Sequence, residues 1–266
     1  MRNSLYMLTI AVVLLVGTQY ASAQIDTISF KNGHQLNTAN LKTGLKQYLV
    51  YFQQPKQPKT LRFWYWLRDI QKETRNGEQV FTTSQHWFGG DTLSYRACYS
   101  VNSAANFAPL YHMETVRGIT KAYNWGATKI IGADTVSTNA AKAFALEFAQ
   151  PNFNWNLDME TFEMLPLAAG KTFAINFYDA GLSPPKYIIY KVTGSEVLNL
   201  LDGTKTDCWK LLEEGKAPDG SAYTQTFWIS KKGHEMLKEE DQFNGMYRYK
   251  IKMAGAAPNL MERFAK

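Results

Sequence analysis

YIIYKVTGSEV (Tyr187–Val197), YTQTFWIS (Tyr223–Ser230) and MYRYKIKM (Met246–Met253) decide the fold. Each run is rich in β-branched and aromatic residues, and glycine- and charge-rich turns separate them. In the first, Tyr187, Ile189, Lys191 and Thr193 alternate with Ile188, Tyr190 and Val192. In the second, Gln225, Phe227 and Ile229 oppose Thr224, Thr226 and Trp228. The third sets Tyr247, Tyr249 and Ile251 against Arg248, Lys250 and Lys252, which predicts a half-buried strand with its charged face in water. These runs define a curved antiparallel sheet, and the rest of the chain extends it.

Upstream the pattern continues. Asp202-Gly203 turns into Thr206–Leu212, and Lys231-Lys232-Gly233-His234 turns into Glu235–Glu239. Leu61–Ile70 holds Phe63-Trp64-Tyr65-Trp66, so both of its faces carry large rings and both need cover. Asn76-Gly77 signals a hairpin into Val80–Phe88, and Gly89-Gly90-Asp91 turns into Leu93–Val101. Pro109–Thr115, Thr120–Trp125, Lys129–Ile131, Phe144–Phe148 and Lys171–Tyr178 read as further strands. Leu41–Phe52 fits either a helix or a strand, and Ile25–Asn40 reads as an extended arm. One helix is expected near Asn156, with Asn156 as cap, Asp158 and Glu160 in its first turn and Pro166 as its end. The fold class is mainly β: a large curved antiparallel sheet or unclosed β-barrel with one or two short helices.

The N-terminus carries Arg2, an apolar run Leu5–Val16 and Ala21-Ser22-Ala23, the layout of an export signal. The apolar run is shorter than the roughly 20 residues that span a bilayer. Cleavage after residue 23 leaves one β-rich domain over residues 24–253, a tail at 254–266, and a periplasmic or secreted chain that does not span the membrane. The net charge of +6 is spread along the sequence, with no block of like charges to point to nucleic acid. Cys98 and Cys208 are 110 positions apart and fit a disulfide or two buried thiols equally well.

Chemistry-bearing motifs are weak. Ala169-Gly170-Lys171-Thr172 lacks the first glycine of a phosphate loop, Leu165 standing in its place. The four histidines His34, His86, His112 and His234 are scattered, and no metal or cofactor is expected. Asp158, Glu160 and Glu163 near Trp155 and Phe162 resemble a glycosidase carboxylate pair, but their helical spacing reads as a solvated face. Glu239-Glu240-Asp241 reads as an exposed loop. No catalytic residue is assigned. The informative excess is aromatic, at 14% of residues, and it nominates Trp64, Trp66, Trp228 and Tyr190 as ligand-binding residues on a concave face.

Pro166–Thr172, Tyr190–Glu196, Cys208-Trp209-Lys210 and Thr226–Ser230 resemble an exported domain-of-unknown-function family related to the lipoprotein-carrier (LolA/LolB-like) half-barrel fold. The likeness covers Leu157–Met253 well and the N-terminal half loosely. It implies an unclosed antiparallel barrel wrapped on a helix, with an apolar concave face and no catalytic residues. The expected function is therefore non-catalytic binding of a hydrophobic or lipid-like ligand. The alternatives are an envelope module that binds another protein and, behind it, a hydrolase using the acids near Asp158.

Overall fold

The computed structural model describes residues 24–254 except 58, 60–61, 91–93, 183 and 218. The predicted export signal and the tail after 254 lie outside the described residues. Among the described residues, sixteen strands share one sheet. In chain order they are β1 (Ile25–Ile28), β2 (Gly44–Gln53), β3 (Arg62–Arg75), β4 (Glu78–Phe88), β5 (Arg96–Ser103), β6 (Pro109–Val116), β7 (Ile119–Trp125) and β8 (Lys129–Gly132). Then follow β9 (Ala145–Glu147), β10 (Phe153–Asn154), β11 (Thr172–Tyr178), β12 (Lys186–Asn199), β13 (Lys205–Lys216), β14 (Ala222–Ser230), β15 (Met236–Phe243) and β16 (Met246–Lys252).

The spatial order is β1-β11-β12-β13-β14-β15-β16-β2-β3-β4-β5-β6-β7-β8-β9. Thus β16 pairs with β2, joining the C-terminal and N-terminal meanders into one surface. Pairing is antiparallel except where β1 and β10 both lie parallel to β11. The expected arm is therefore in part a strand, and the ambiguous Leu41–Phe52 resolves as β2. Asn76 and Gly77 both have positive φ, 51° and 83°, as a tight two-residue hairpin requires.

The sheet curves round without closing through backbone hydrogen bonds. Side chains close it instead. Trp125 and Phe148 from the β7–β9 end each meet Tyr178 of β11 edge-to-face at 5.6 Å, and Trp125 Nε1 donates to Asn152 Oδ1 at 3.1 Å. Both outer strands are short, which limits the open backbone edge.

Among the described residues one α-helix, α1 (Asp158–Glu163), sits inside the curve after a 3-10 turn at Trp155–Leu157. Asn154 caps the 3-10 turn, its side-chain oxygen accepting from the Asn156 amide; α1 itself starts from Leu157 with no side-chain cap, so Asn156 is not the cap. Met159 to Glu163 are all buried, so the predicted solvated face is wrong. Phe162 packs at 4.7 Å on Phe227 and 4.8 Å on Tyr190. Opposite it, Glu160 receives Arg68 Nε at 2.8 Å and Glu163 receives Lys46 Nζ at 2.6 Å, while Glu163 Oε1 also accepts the Met236 amide. These acids escape solvent because each meets a cation from the concave face of β2 or β3.

Two further expectations fail for the same reason. Glu239 and Asp241 are not in a loop; they lie on β15, buried. Their register partners on β16 are Lys250 and Arg248, which pair with them inside the barrel. The charged face of β16 therefore points inward, and Tyr247, Tyr249 and Ile251 point out. Cys98 and Cys208 are two separate buried thiols.

The helix anchor makes a stability prediction. Arg68→Met alone leaves Glu160 buried without its cation and should cost about 3–5 kcal/mol in urea unfolding. Arg68→Met with Glu160→Leu should recover most of that loss. A single-variant cost under about 1 kcal/mol would remove the pair from its anchoring role.

Candidate functional site

Period-two alternation decides what the open end of the barrel presents. Trp64 and Trp66 of β3, Trp87 of β4, Arg96 of β5, Asp241 of β15 and Arg248 and Lys250 of β16 all fall on the concave face. Trp155 and Asn156 come up from the turn before α1 and complete a small cavity of about 140 Å³ with all of these except Asp241. Trp66 is its wall. It stacks on Trp87 at 4.8 Å, and the Arg68 guanidinium and the Lys250 ammonium lie 4.6 and 4.3 Å from its ring centre.

Asn156 is the hub. Its backbone carbonyl accepts Gln85 Nε2 at 2.8 Å and Arg68 at 3.2 Å. Its side chain accepts Arg96 at 2.7 Å and donates to Asp179 at 3.0 Å. The short turn thereby ties three strands and the segment after β11 to one residue.

Trp155 and Arg248 also belong to a larger cleft of about 540 Å³, walled by Phe177, Leu182, Pro184, Tyr223 and Phe243. Lys186 and Asp241 supply charge at its sides. Tyr223 is held upright there: its ring lies over Gly215, where a Cβ would come within 2.5 Å of it, and its hydroxyl donates to Glu213 at 2.6 Å. A third cleft of about 460 Å³ lies beyond Asp179 and Leu182, with Arg96, Glu114 and Lys121 along it.

Charge in the mouth is balanced and mostly paired. Burial and the neighbouring Glu239 push the Asp241 carboxyl up to about 7, in spite of the Arg248 guanidinium in contact with it. Burial opposes ionisation of Glu239 too, but Lys250 and Arg248 outweigh it and hold that carboxyl below its ordinary range. Burial also raises Asp158 and Asp179, against the pull of Lys250 and of Arg96 respectively. Asp241 Oδ1 is buried and has no hydrogen-bond partner among the described residues.

Of the nominated binding residues, Trp64 and Trp66 come together at the small cavity. Tyr190 lies in the core floor against Phe162 and Phe177. Trp228 is on the outer face, between Lys210 and Lys238 and packed with Cys208 and Leu237. The concave face at the mouth is charged and aromatic, where an apolar one was expected. Arg248 and Asp241 were missed, although one signal was available. Acid–base alternation at matching positions of two adjacent runs, Glu239 and Asp241 against Arg248 and Lys250, marks cross-strand pairs on a shared face.

The protein belongs to the family described as a protein of unknown function, DUF3108, whose model matches residues 47–252. A β-barrel-like protein of domain of unknown function DUF1849 from Brucella abortus superposes with a TM-score of 0.50 at 9% identity, over 80% of this chain and 98% of that one. A DUF1329 family protein from Desulfovibrio piger ATCC 29098 aligns over 84% of this chain and 91% of its own, at 8% identity and a TM-score of 0.27. No curated protein matches the chain.

The Asp241 shift has a signed consequence. An ordinary aspartate in the unfolded chain titrates near about 3.9. Between that value and about 7 the folded state holds the extra proton, so this group's contribution favours the fold at low pH and is lost as pH rises towards 7. Asp241→Asn should therefore gain stability over the parent at pH 8 and lose that advantage by pH 4, read from urea midpoints. An offset that does not change with pH would contradict the assignment.

Proposed function

We propose that this chain is an exported, non-catalytic binding protein that takes a lipid-like, amphipathic ligand at the mouth of its unclosed barrel. The observation that carries the reading is the 540 Å³ cleft, which has apolar walls at Phe177, Leu182, Pro184 and Phe243 and cations at its sides. Its volume lies within the roughly 300–1,000 Å³ of small-molecule sites. An apolar tail lies along those walls, and an acidic head group turns towards Lys186 and Arg248. Trp64 and Trp66 then flank the head-group end through the adjoining small cavity, while Tyr190 and Trp228 keep packing roles. An unclosed barrel around one inner helix is also what the likeness to lipoprotein carriers implies. The sequence features of the first 23 residues support a periplasmic or secreted location.

Leu182 gives a clean test, because it is 65% exposed and its replacement leaves the core intact. Titration with a long-chain fatty acid or a lysophospholipid should shift tryptophan emission to the blue, and Trp155→Phe should remove most of that shift. Leu182→Asp should weaken binding about tenfold or more, the scale of one buried leucine. A flat titration with both lipid types sinks the lipid reading and turns attention to a protein partner in the envelope. Unchanged affinity in Leu182→Asp places the ligand elsewhere.

A further inference from the structure

The third cleft leads to a cluster outside the proposed lipid site. In β5, Cys98 and Ser100 lie on the concave face, and their register partners in β6 are Glu114 and His112. Donor atoms of Cys98, His112 and Glu114 all lie within 4.8 Å of one another. We propose that these three residues bind a divalent transition metal of the zinc class.

The donor set is the first argument. A thiolate, an imidazole and a carboxylate are the ligand types that zinc takes, and three protein ligands leave a fourth position for water. Tetrahedral zinc with bonds of roughly 2.0–2.3 Å needs donors about 3.3–3.8 Å apart, so the cluster must contract by about 1 Å. Glu114, partly exposed along the third cleft, is free to make that adjustment and marks the way in.

The support around the histidine is the second. His112 is 1% exposed, and its Nδ1 lies 2.9 Å from Ser100 Oγ and 3.1 Å from Asn154 Nδ2. Asn154 Nδ2 also reaches Ser100 Oγ at 3.4 Å. Asn154 Oδ1 accepts the Asn156 amide, so Nδ2 is the end that faces the ring, and Nδ1 accepts from it in the metal-free protein. Metal binding takes the other tautomer: the proton moves to Nδ1, which donates to Ser100 Oγ, Asn154 Nδ2 turns to the same oxygen, and Nε2 keeps a lone pair for the ion. Metal-binding histidines are commonly oriented by such a hydrogen bond on the far nitrogen.

Arg96 is the competing cation, 3.1 Å from Glu114. It also hydrogen-bonds the Cys98 sulfur, and its partners outside the cluster are Asn156 Oδ1 at 2.7 Å, the Trp87 ring at 4.9 Å and the charge of Asp179. Metal binding releases the Cys98 thiol proton to water, moves the Cys98 sulfur and Glu114 from Arg96 to the ion, and leaves the guanidinium with those three. Two anionic ligands then neutralise the ion.

Cobalt(II) titration of the whole chain, stripped with chelator and kept reduced, tests this directly. One cobalt per chain should bind, with a thiolate-to-cobalt charge-transfer band in the near ultraviolet. Cys208→Ser should keep the band and Cys98→Ser should lose it. Glu114→Gln, at a partly exposed position, should weaken binding without disturbing the core. Ser100→Ala should lower cobalt affinity about 10–100-fold while the band remains, which a merely structural role for Ser100 would not produce. Absence of the band at stoichiometric metal, its persistence in Cys98→Ser, or unchanged affinity in Glu114→Gln would overturn the site.

Discussion

Four buried charges hold this molecule together. Lys46 and Arg68 are direct register partners on β2 and β3, and like charges placed opposite each other on one sheet face repel. Glu160 and Glu163 are three residues apart on α1, where like charges also repel. Each pair is unfavourable alone. Set against one another, they form a neutral group in which Glu160 faces Arg68 and Glu163 faces Lys46. A six-residue helix has too few hydrogen bonds to persist in water by itself. It exists here because these two contacts, with Phe162 packed on the opposite side, specify its place in the curve. The register of β2 on β3 is fixed by the same requirement, since a slip of one residue would turn Lys46 or Arg68 outward.

The same principle runs up the barrel wall. Glu239 with Lys250 and Asp241 with Arg248 repeat the pattern one strand pair away, now as opposite charges directly across the ladder. Below them the interior is aromatic and aliphatic: Phe162, Phe173, Phe177, Tyr190 and Phe227 fill the floor. Above them lie the cavities. Polar groups are concentrated where the sheet meets solvent-accessible space, and Glu239, Asp241 and Lys250 each have a charged partner, while Glu213, buried beside Tyr190, accepts the Tyr223 hydroxyl instead. The result is a graded pocket, apolar beneath and charged at its rim, that suits a molecule with one end of each kind.

The strands were readable because alternation and turn residues are local signals. Asn76-Gly77, Asp202-Gly203 and the aromatic runs each act within a few residues, and the long strands announced themselves that way except β2, whose spacing fits a helix equally well. Which face looked inward was not readable for β16. Hydrophobicity assigned Tyr247, Tyr249 and Ile251 to the core, yet Arg248 and Lys250 occupy it, because their acid partners on β15 make that burial tolerable. The acids of α1 were misplaced for the same reason: their cations lie 92 and 117 residues away. Of the candidate site, Trp64 and Trp66 were legible as large rings on a strand needing cover. Asn156 was noticed for the wrong task, since a hub that bonds Arg68, Gln85, Arg96 and Asp179 has no sequence signature. His112 and Glu114 stand two apart in a strand, hence on one face, but Cys98 joins them only through the β5–β6 register.

The open seam explains why the clefts lie where they do. A sheet closed by backbone ladders would seal the side between β9 and β11. Here Trp125, Phe148 and Tyr178 bridge that gap with rings, which need no continuous ladder and leave the chain free to loop outward immediately after β11. That loop carries Asp179, Ala180 and Leu182, and it forms the partition between the 540 Å³ and 460 Å³ clefts. Tyr178 ties its start down, accepting the Gly181 amide at 3.1 Å on its hydroxyl. Asp179 is tied to Asn156, and through it to Arg96 and the turn that leads into α1. The loop that divides the clefts is therefore mechanically continuous with the helix anchor. A ligand pressed against Leu182 on one side and a metal drawing Glu114 from Arg96 on the other would both act on Asp179 and Asn156, so the two clefts share their central hydrogen bonds.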